Sequence, residues 1–152
     1  MAEVINVVKR GERGKEPLNI EKIHEMVEYA CEDIAGVSAS QVEMKSGLQF
    51  YDGISTNDIQ QILIKSAADL IDLEQPNYQY VAARLLLYSL RKVVIGRLWD
   101  HPHLYDHVKK AVDKNLYDSE LIEKYQKKDF DRMENWLNHE RDYTFTYAGL
   151  RQ

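Results

Sequence analysis

The stretch Val7-Val8-Lys9-Arg10-Gly11-Glu12-Arg13-Gly14-Lys15-Glu16-Pro17-Leu18-Asn19-Ile20-Glu21-Lys22-Ile23 decides how the rest of the chain is read. Two β-branched residues run into two cations, and glycines at 11 and 14 mark a turn. A short second strand leads straight to Asn19, a helix-capping residue placed before a periodic apolar run. A hairpin that feeds a helix start brings Lys9, Arg10 and Lys22 close to the unpaired N–H groups of a first helical turn. Such a cup receives phosphate. The reading is an adenine-nucleotide site that senses its ligand and performs no chemistry on it.

Outward from this stretch, helical spacing predicts a first helix from Asn19 to about Ala35, burying Ile20, Ile23, Val27, Ala30 and Ile34. Ser38-Ala39-Ser40-Gln41 offers a capping box for a short second helix ending near Gly47. Gln49-Phe50-Tyr51-Asp52-Gly53 reads as a loop, and Ser55-Thr56-Asn57-Asp58 opens a third helix that turns Ile59, Ile62, Leu63, Ala67, Leu70 and Ile71 inward. A fourth helix from about Tyr78 to Ile95 is apolar on most of its circumference and belongs in the middle of a bundle. Beyond Trp99 two or three more helices are expected, with Leu104, Val108 and Val112 on one stripe and Phe130, Met133 and Leu137 on another. The fold class is therefore mainly α: a four-helix bundle capped by a small N-terminal β-hairpin or short sheet, followed by further helices.

Short loops favour alternating helix directions. Alternation would set the starts of the first and third helices and the end of the fourth at one pole, together with the hairpin. That pole would gather Lys9, Arg10, Lys22, Thr56 and Lys92, with Val7, Ile23 and Ile59 as an apolar rest for a flat base.

Composition agrees with a globular chain of 152 residues, 44% apolar and 30% charged, which suffices for one ordinary core. A formal charge of −5 argues against a broad nucleic-acid footprint. No apolar run spans a bilayer and no secretory signal opens the chain, so a cytoplasmic protein without membrane partners is expected. The single cysteine, Cys31, excludes an internal disulfide and a Cys-based zinc cluster and reads as a small buried apolar residue. Gly11-Glu12-Arg13-Gly14-Lys15 is too short for a P-loop and has Glu16 where Ser or Thr is required. His103 and His107 share a helix face, but no third metal ligand stands out near them, so no metal site is assigned. Neither a catalytic residue nor a hydrolase constellation is evident.

The residues also resemble a family. Lys9-Arg10, Asn19-Ile20-Glu21-Lys22-Ile23 and Gln49-Phe50-Tyr51-Asp52-Gly53-Ile54-Ser55-Thr56-Asn57-Asp58-Ile59 are similar to the ATP-cone, the allosteric overall-activity domain at the N-terminus of ribonucleotide reductases. Pro76-Asn77-Tyr78-Gln79-Tyr80-Val81-Ala82-Ala83-Arg84-Leu85 with Leu90-Arg91-Lys92 resembles the large subunit of the aerobic class I enzyme. So do Leu104-Tyr105-Asp106-His107-Val108, Lys114-Asn115-Leu116-Tyr117-Asp118, and His139-Glu140-Arg141-Asp142 with Phe145-Thr146-Tyr147-Ala148.

The resemblance implies an ATP-cone over residues 1–97 and the start of a catalytic domain over 98–152. It implies ATP or dATP as effector, with Mg, and no catalytic cofactor. Lys9 and Lys92 match phosphate-binding lysines, while Glu16, Pro17, Leu18, Asn19, Ile20, Glu21 and Lys22 match the segment wrapping the nucleotide. Ile23 adjoins that segment; Thr56 matches a third-helix contact, and Phe50, Asp58 and Ile59 match positions shaping the pocket. Implied partners are the rest of the reductase large subunit, a radical-carrying small subunit and further large subunits. The chain departs from the family in a hairpin about one residue longer, carrying Pro17, in Gln60 where histidine is frequent, and in stopping at Gln152 before the barrel cysteines. It is read as a fragment or a split-gene piece, not catalytic alone. The competing reading is a degenerate cone that serves only as a structural, subunit-contacting bundle. A regulator pairing the cone with a zinc ribbon is discarded for want of cysteines.

Overall fold

A computed structural model describes residues 5–9, 14–47 and 49–152; the expected site residue Arg10 lies outside them. The chain forms two compact units, Met1–Leu90 with Tyr143–Gln152, and Arg91–Asp142. The first unit opens with β1 (Asn6–Val8) and β2 (Lys15–Pro17), antiparallel with Val7 opposite Glu16. A third strand, β3 (Ile54–Ser55), joins the other side of β1 in parallel, giving the order β2-β1-β3. The loop reading of the preceding residues holds, but the strand after them is too short to carry an alternation signal. Neighbouring β1 supplies its backbone partners.

Helix α1 spans Ile20–Cys31, with the Oδ1 of Asn19 accepting the N–H of Lys22 at 3.0 Å. It stops short of the expected Ala35 because Glu32 leaves the helical region at ψ 134° and Asp33 adopts φ +58°. A cation from another helix takes over the end: Arg84 Nη1 donates to the carbonyls of Glu32 at 2.6 Å and Ala30 at 3.4 Å. Charge-assisted bonds of this kind favour a helix C-terminus. Of the expected stripe, Val27 and Ala30 are fully buried, whereas Ile20 is 71% exposed. The partners of α1 begin further along, where His24 meets Glu43 and Gln60 meets Met26, leaving the first turn uncovered.

Helix α2 spans Ala39–Gly47. Its expected capping box is relayed by a side chain from a later helix. The Ser38 N–H donates to the Tyr78 hydroxyl at 3.0 Å, and that hydroxyl donates to Gln41 Oε1 at 2.7 Å. Helix α3 spans Thr56–Ala68, capped by Ser55. Ile59, Leu63 and Ala67 turn inward as expected, joined by Ile64, while Ile71 lies past the helix end and is exposed. Strict alternation fails between these two helices. Lys45 Nζ donates to the Asp69 carbonyl at 3.1 Å and Gln49 Nε2 to Ser66 Oγ at 3.4 Å, so their C-terminal ends lie together. Residues 49–53 then run back along α3 to reach the sheet.

Helix α4 (Tyr78–Val94) buries Tyr78, Val81, Ala82, Leu85 and Tyr88, as a central helix should. Its last turns do not follow: Leu90, Val93 and Val94 are exposed. The second unit holds α5 (Leu104–Asp113), α6 (Glu120–Lys124) and α7 (Lys127–Glu134) around Val108, Ala111 and Phe130. Tyr105 and Tyr125 meet Phe130 edge-on. Leu137, expected on the Phe130 stripe, is exposed because α7 ends at Glu134. A 3-10 helix (His139–Thr144) and α8 (Tyr147–Arg151) follow, and the guanidinium of Arg84 lies 5.1 Å over the Tyr143 ring. Among the described residues no helix is long and apolar enough to cross a membrane.

One contact makes this packing pH-dependent. His24 on α1 bonds Glu43 of α2 at 2.7 Å and Glu28 at 3.1 Å. The hydrogen bond and charge of Glu43, then the charges of Glu28 and Glu25, raise its pKa above the ordinary 6.5. A raised folded-state pKa contributes stability that is complete below the unfolded value and lost as pH rises through the folded one. Melting temperature is therefore expected to fall more from pH 6 upward in the wild type than in His24→Ala. Parallel curves would remove the contact from the pH response.

Candidate nucleotide site

The sheet decides which expected site residues share a neighbourhood. β1 runs parallel to β3 with Val8 opposite Ser55, so Lys9 stands level with Thr56, the first residue of α3. β2 runs the other way, with Pro17 opposite Asn6 and the Leu18 N–H donating to the Ile5 carbonyl at 2.8 Å. Both helices therefore leave the same sheet, but α3 departs from one end of β1 and α1 from the other. The starts of the first and third helices, expected at one pole, are separated along a strand of roughly 10 Å. Lys9 and Thr56 lie at one end, with Asn19, Ile20, Glu21 and Lys22 beyond the other.

The electrostatics also differ from a bare cationic cup. Lys9 Nζ is paired with Glu16 Oε1 at 2.6 Å. Each helix start already has one of its N–H groups bonded: Lys22 N to Asn19 Oδ1, and Asp58 N to Ser55 Oγ at 3.0 Å. The Ser55 hydroxyl in turn donates to Asp58 Oδ2 at 2.7 Å, so Asp58 supports the cap of α3. An incoming anion would have to draw Lys9 from Glu16 and use the remaining first-turn N–H groups. Pro17, Glu21 and Lys22 are exposed, and Leu18, Ile23, Phe50 and Thr56 are half-buried. Val7 and Ile59, expected to support a base, are core residues at 3% and 6% exposure, which leaves Ile23 as the apolar candidate within reach of solvent. Lys92 occupies the last turn of α4 in the second unit. Gln60 is buried, with Nε2 3.7 Å from Met26 Sδ.

Sequence reasoning missed the latch that fixes this end of the sheet. Asp52 Oδ1 accepts both the backbone N–H of Asn6 at 2.8 Å and its Nδ2 at 2.9 Å, and the Gly53 N–H donates to the Asn6 carbonyl at 2.8 Å. These bonds, the backbone one first, hold the Asp52 carboxyl below its ordinary value. Gly53, at φ +83°, supplies the left-handed turn that lets the loop meet β1. The Asp-Gly pair signalled a turn, but nothing local pointed to a partner 46 residues away.

A groove of about 410 Å³ on the C-terminal half of α1 is large enough for a small ligand but has the wrong sign for a triphosphate. Glu25, Glu28 and Glu32 line it with Tyr29 and Cys31. Cys31 is half-buried, and its thiol is pushed up to about 11 by desolvation, so it is protonated and unreactive near neutral pH.

A three-stranded sheet of one hairpin and one parallel strand, from which two capped helices of a bundle emerge, defines the class: a small helical module with an N-terminal sheet. A family model described as "ATP cone domain" matches residues 5–93, and the chain belongs to that family. It is similar to ribonucleoside-diphosphate reductase 1 subunit alpha of Escherichia coli (strain K12), 45% identical over 146 residues, 96% of this chain and 19% of that protein. Subunit alpha of the Haemophilus influenzae enzyme is 45% identical over 152 residues, covering 100% of this chain and 20% of the relative. That of Enterobacteria phage T4 is 38% identical over 152 residues, covering 99% and 20%. The chain thus spans about one fifth of the length of these curated relatives.

Proposed function

We propose that the chain is the nucleotide-sensing module of a ribonucleoside-diphosphate reductase large subunit, binding ATP or dATP, with Mg, as an effector that controls overall activity. Residues 1–97 form the sensor and 98–152 begin the catalytic domain. Lys9 and Lys92 hold phosphates, Thr56 and the start of α3 add N–H and hydroxyl donors, and the segment Glu16 to Ile23, with Phe50, Asp58 and Ile59, shapes the rest. Arg10 adds a further cation. The observation that carries this reading is the register setting Lys9 level with the first turn of α3 in a chain of the ATP-cone family. Partners are the remainder of the large subunit, a radical-carrying small subunit and further large subunits, in the cytoplasm. Control is a coupling free energy between nucleotide and subunit contacts, so assembly must change nucleotide affinity by the same factor.

A second reading, a structural bundle that has lost its nucleotide, draws support from the Lys9–Glu16 pair and the filled caps. Calorimetric titration of the chain with MgATP and MgdATP separates the two. Saturable heat with either nucleotide is expected, and no heat together with no thermal shift would leave the structural reading.

A further inference from the structure

Within the second unit, two imidazoles and a carboxylate that are not among the nucleotide residues come together. The rings of His101 and His139 stack with centroids 3.7 Å apart and planes 4° from parallel. Their nitrogens and a carboxylate oxygen of Asp142 all lie within 4.8 Å of one another. The local structure explains the set. His139 and Asp142 are three apart on a 3-10 helix, whose three-residue turn places them one above the other on the same side. His101 comes from the loop before α5, between Asp100, at φ +61°, and Pro102.

We propose that His101, His139 and Asp142 bind a divalent first-row transition cation, with zinc as its representative. Two imidazoles and one carboxylate with open positions left to water are a ligand set such ions accept. Tetrahedral bonds of 2.0–2.1 Å put ligand atoms roughly 3.3 Å apart, so the set must close by at most about 1.5 Å. An imidazole lone pair lies in its ring plane, so binding also requires the stacked rings to turn out of parallel until both planes meet at the ion; both side chains are exposed, and the stack would be exchanged for two metal bonds. Arg91 Nη2 donates to Asp142 Oδ2 at 3.0 Å, orienting the carboxylate as an outer-shell partner does. Its positive charge opposes the metal ion and weakens the site. By contrast, the His103 and His107 pair suggested by spacing is dispersed: His103 Nδ1 lies 3.3 Å from Glu134, and His107 lies edge-on to Tyr117.

The test is calorimetric titration of the whole chain with zinc chloride, followed by imidazole nitrogen NMR. One ion per chain is expected, with the resonances of His101 and His139 shifting together. His101→Ala and His139→Ala are each expected to weaken binding at least roughly tenfold, with His103→Ala nearly neutral. His101 lies in a loop, so His101→Ala is expected to keep the wild-type circular dichroism, and it alone decides the matter if His139→Ala unfolds. The proposal is overturned by the absence of saturable binding, or by His103→Ala weakening it as much as His101→Ala does.

Discussion

Tyr78→Ala is expected to destabilise the helical bundle by about 3–5 kcal/mol, as deletion of a fully enclosed aromatic ring does. The side chain is entirely buried, and its hydroxyl joins the start of α2 to α4 through Ser38 and Gln41. Domains of this size have only about 5–15 kcal/mol of net stability, so the loss is a large share of the total. Tyr78→Phe isolates the hydroxyl. It keeps the ring but leaves the Ser38 N–H and Gln41 Oε1 without their bridge, an effect of about 1–3 kcal/mol. Urea unfolding followed by circular dichroism measures both. A Tyr78→Phe variant within about 0.5 kcal/mol of wild type, inside the ordinary range of neutral substitutions, would show that the relayed cap contributes nothing.

The second large effect concerns the effector. Lys9→Ala is expected to weaken ATP binding by about 1.5–3 kcal/mol, the range for a hydrogen bond to a charged group. That corresponds to roughly ten- to hundred-fold in Kd. Stability should change little, because the Lys9–Glu16 pair is partly exposed and such pairs contribute about 0–1 kcal/mol. Glu16→Gln should move inorganic tripolyphosphate affinity the other way by a few-fold, since it releases Lys9 from its present partner without adding a cation. Titration calorimetry on the three proteins reads both changes. Unaltered ATP affinity in Lys9→Ala would sink the site even if the chain binds nucleotide elsewhere.

Much of this was legible in the residues because it is local. Asn19 and Ser55 sit where capping chemistry puts them, and the N–H groups they accept lie three residues on. The four helices of the bundle follow from helical apolar spacing, and α2 ends at the expected Gly47. The errors fall where a distant residue overrides a local signal. Arg84 takes up the carbonyls at the early end of α1, Tyr78 takes over the cap of α2, and Asn6 holds the Asp52-Gly53 turn that leads into a strand too short to announce itself. Ile20 and Leu137 carry the correct period but lie where their stripes run out of partners.

By itself the sequence determined the helical class, the hairpin before Asn19, the capping residues and the family resemblance, since each depends on side chains a few positions apart or on motifs read in order. Tertiary structure alone decided that Lys9 is neutralised by Glu16, that α1 and α3 leave opposite ends of β1, and that His101 stacks on His139. The reason is physical: strand direction, register and the meeting of side chains across 38 positions (101 to 139) are set by how the elements pack, and no local pattern encodes them.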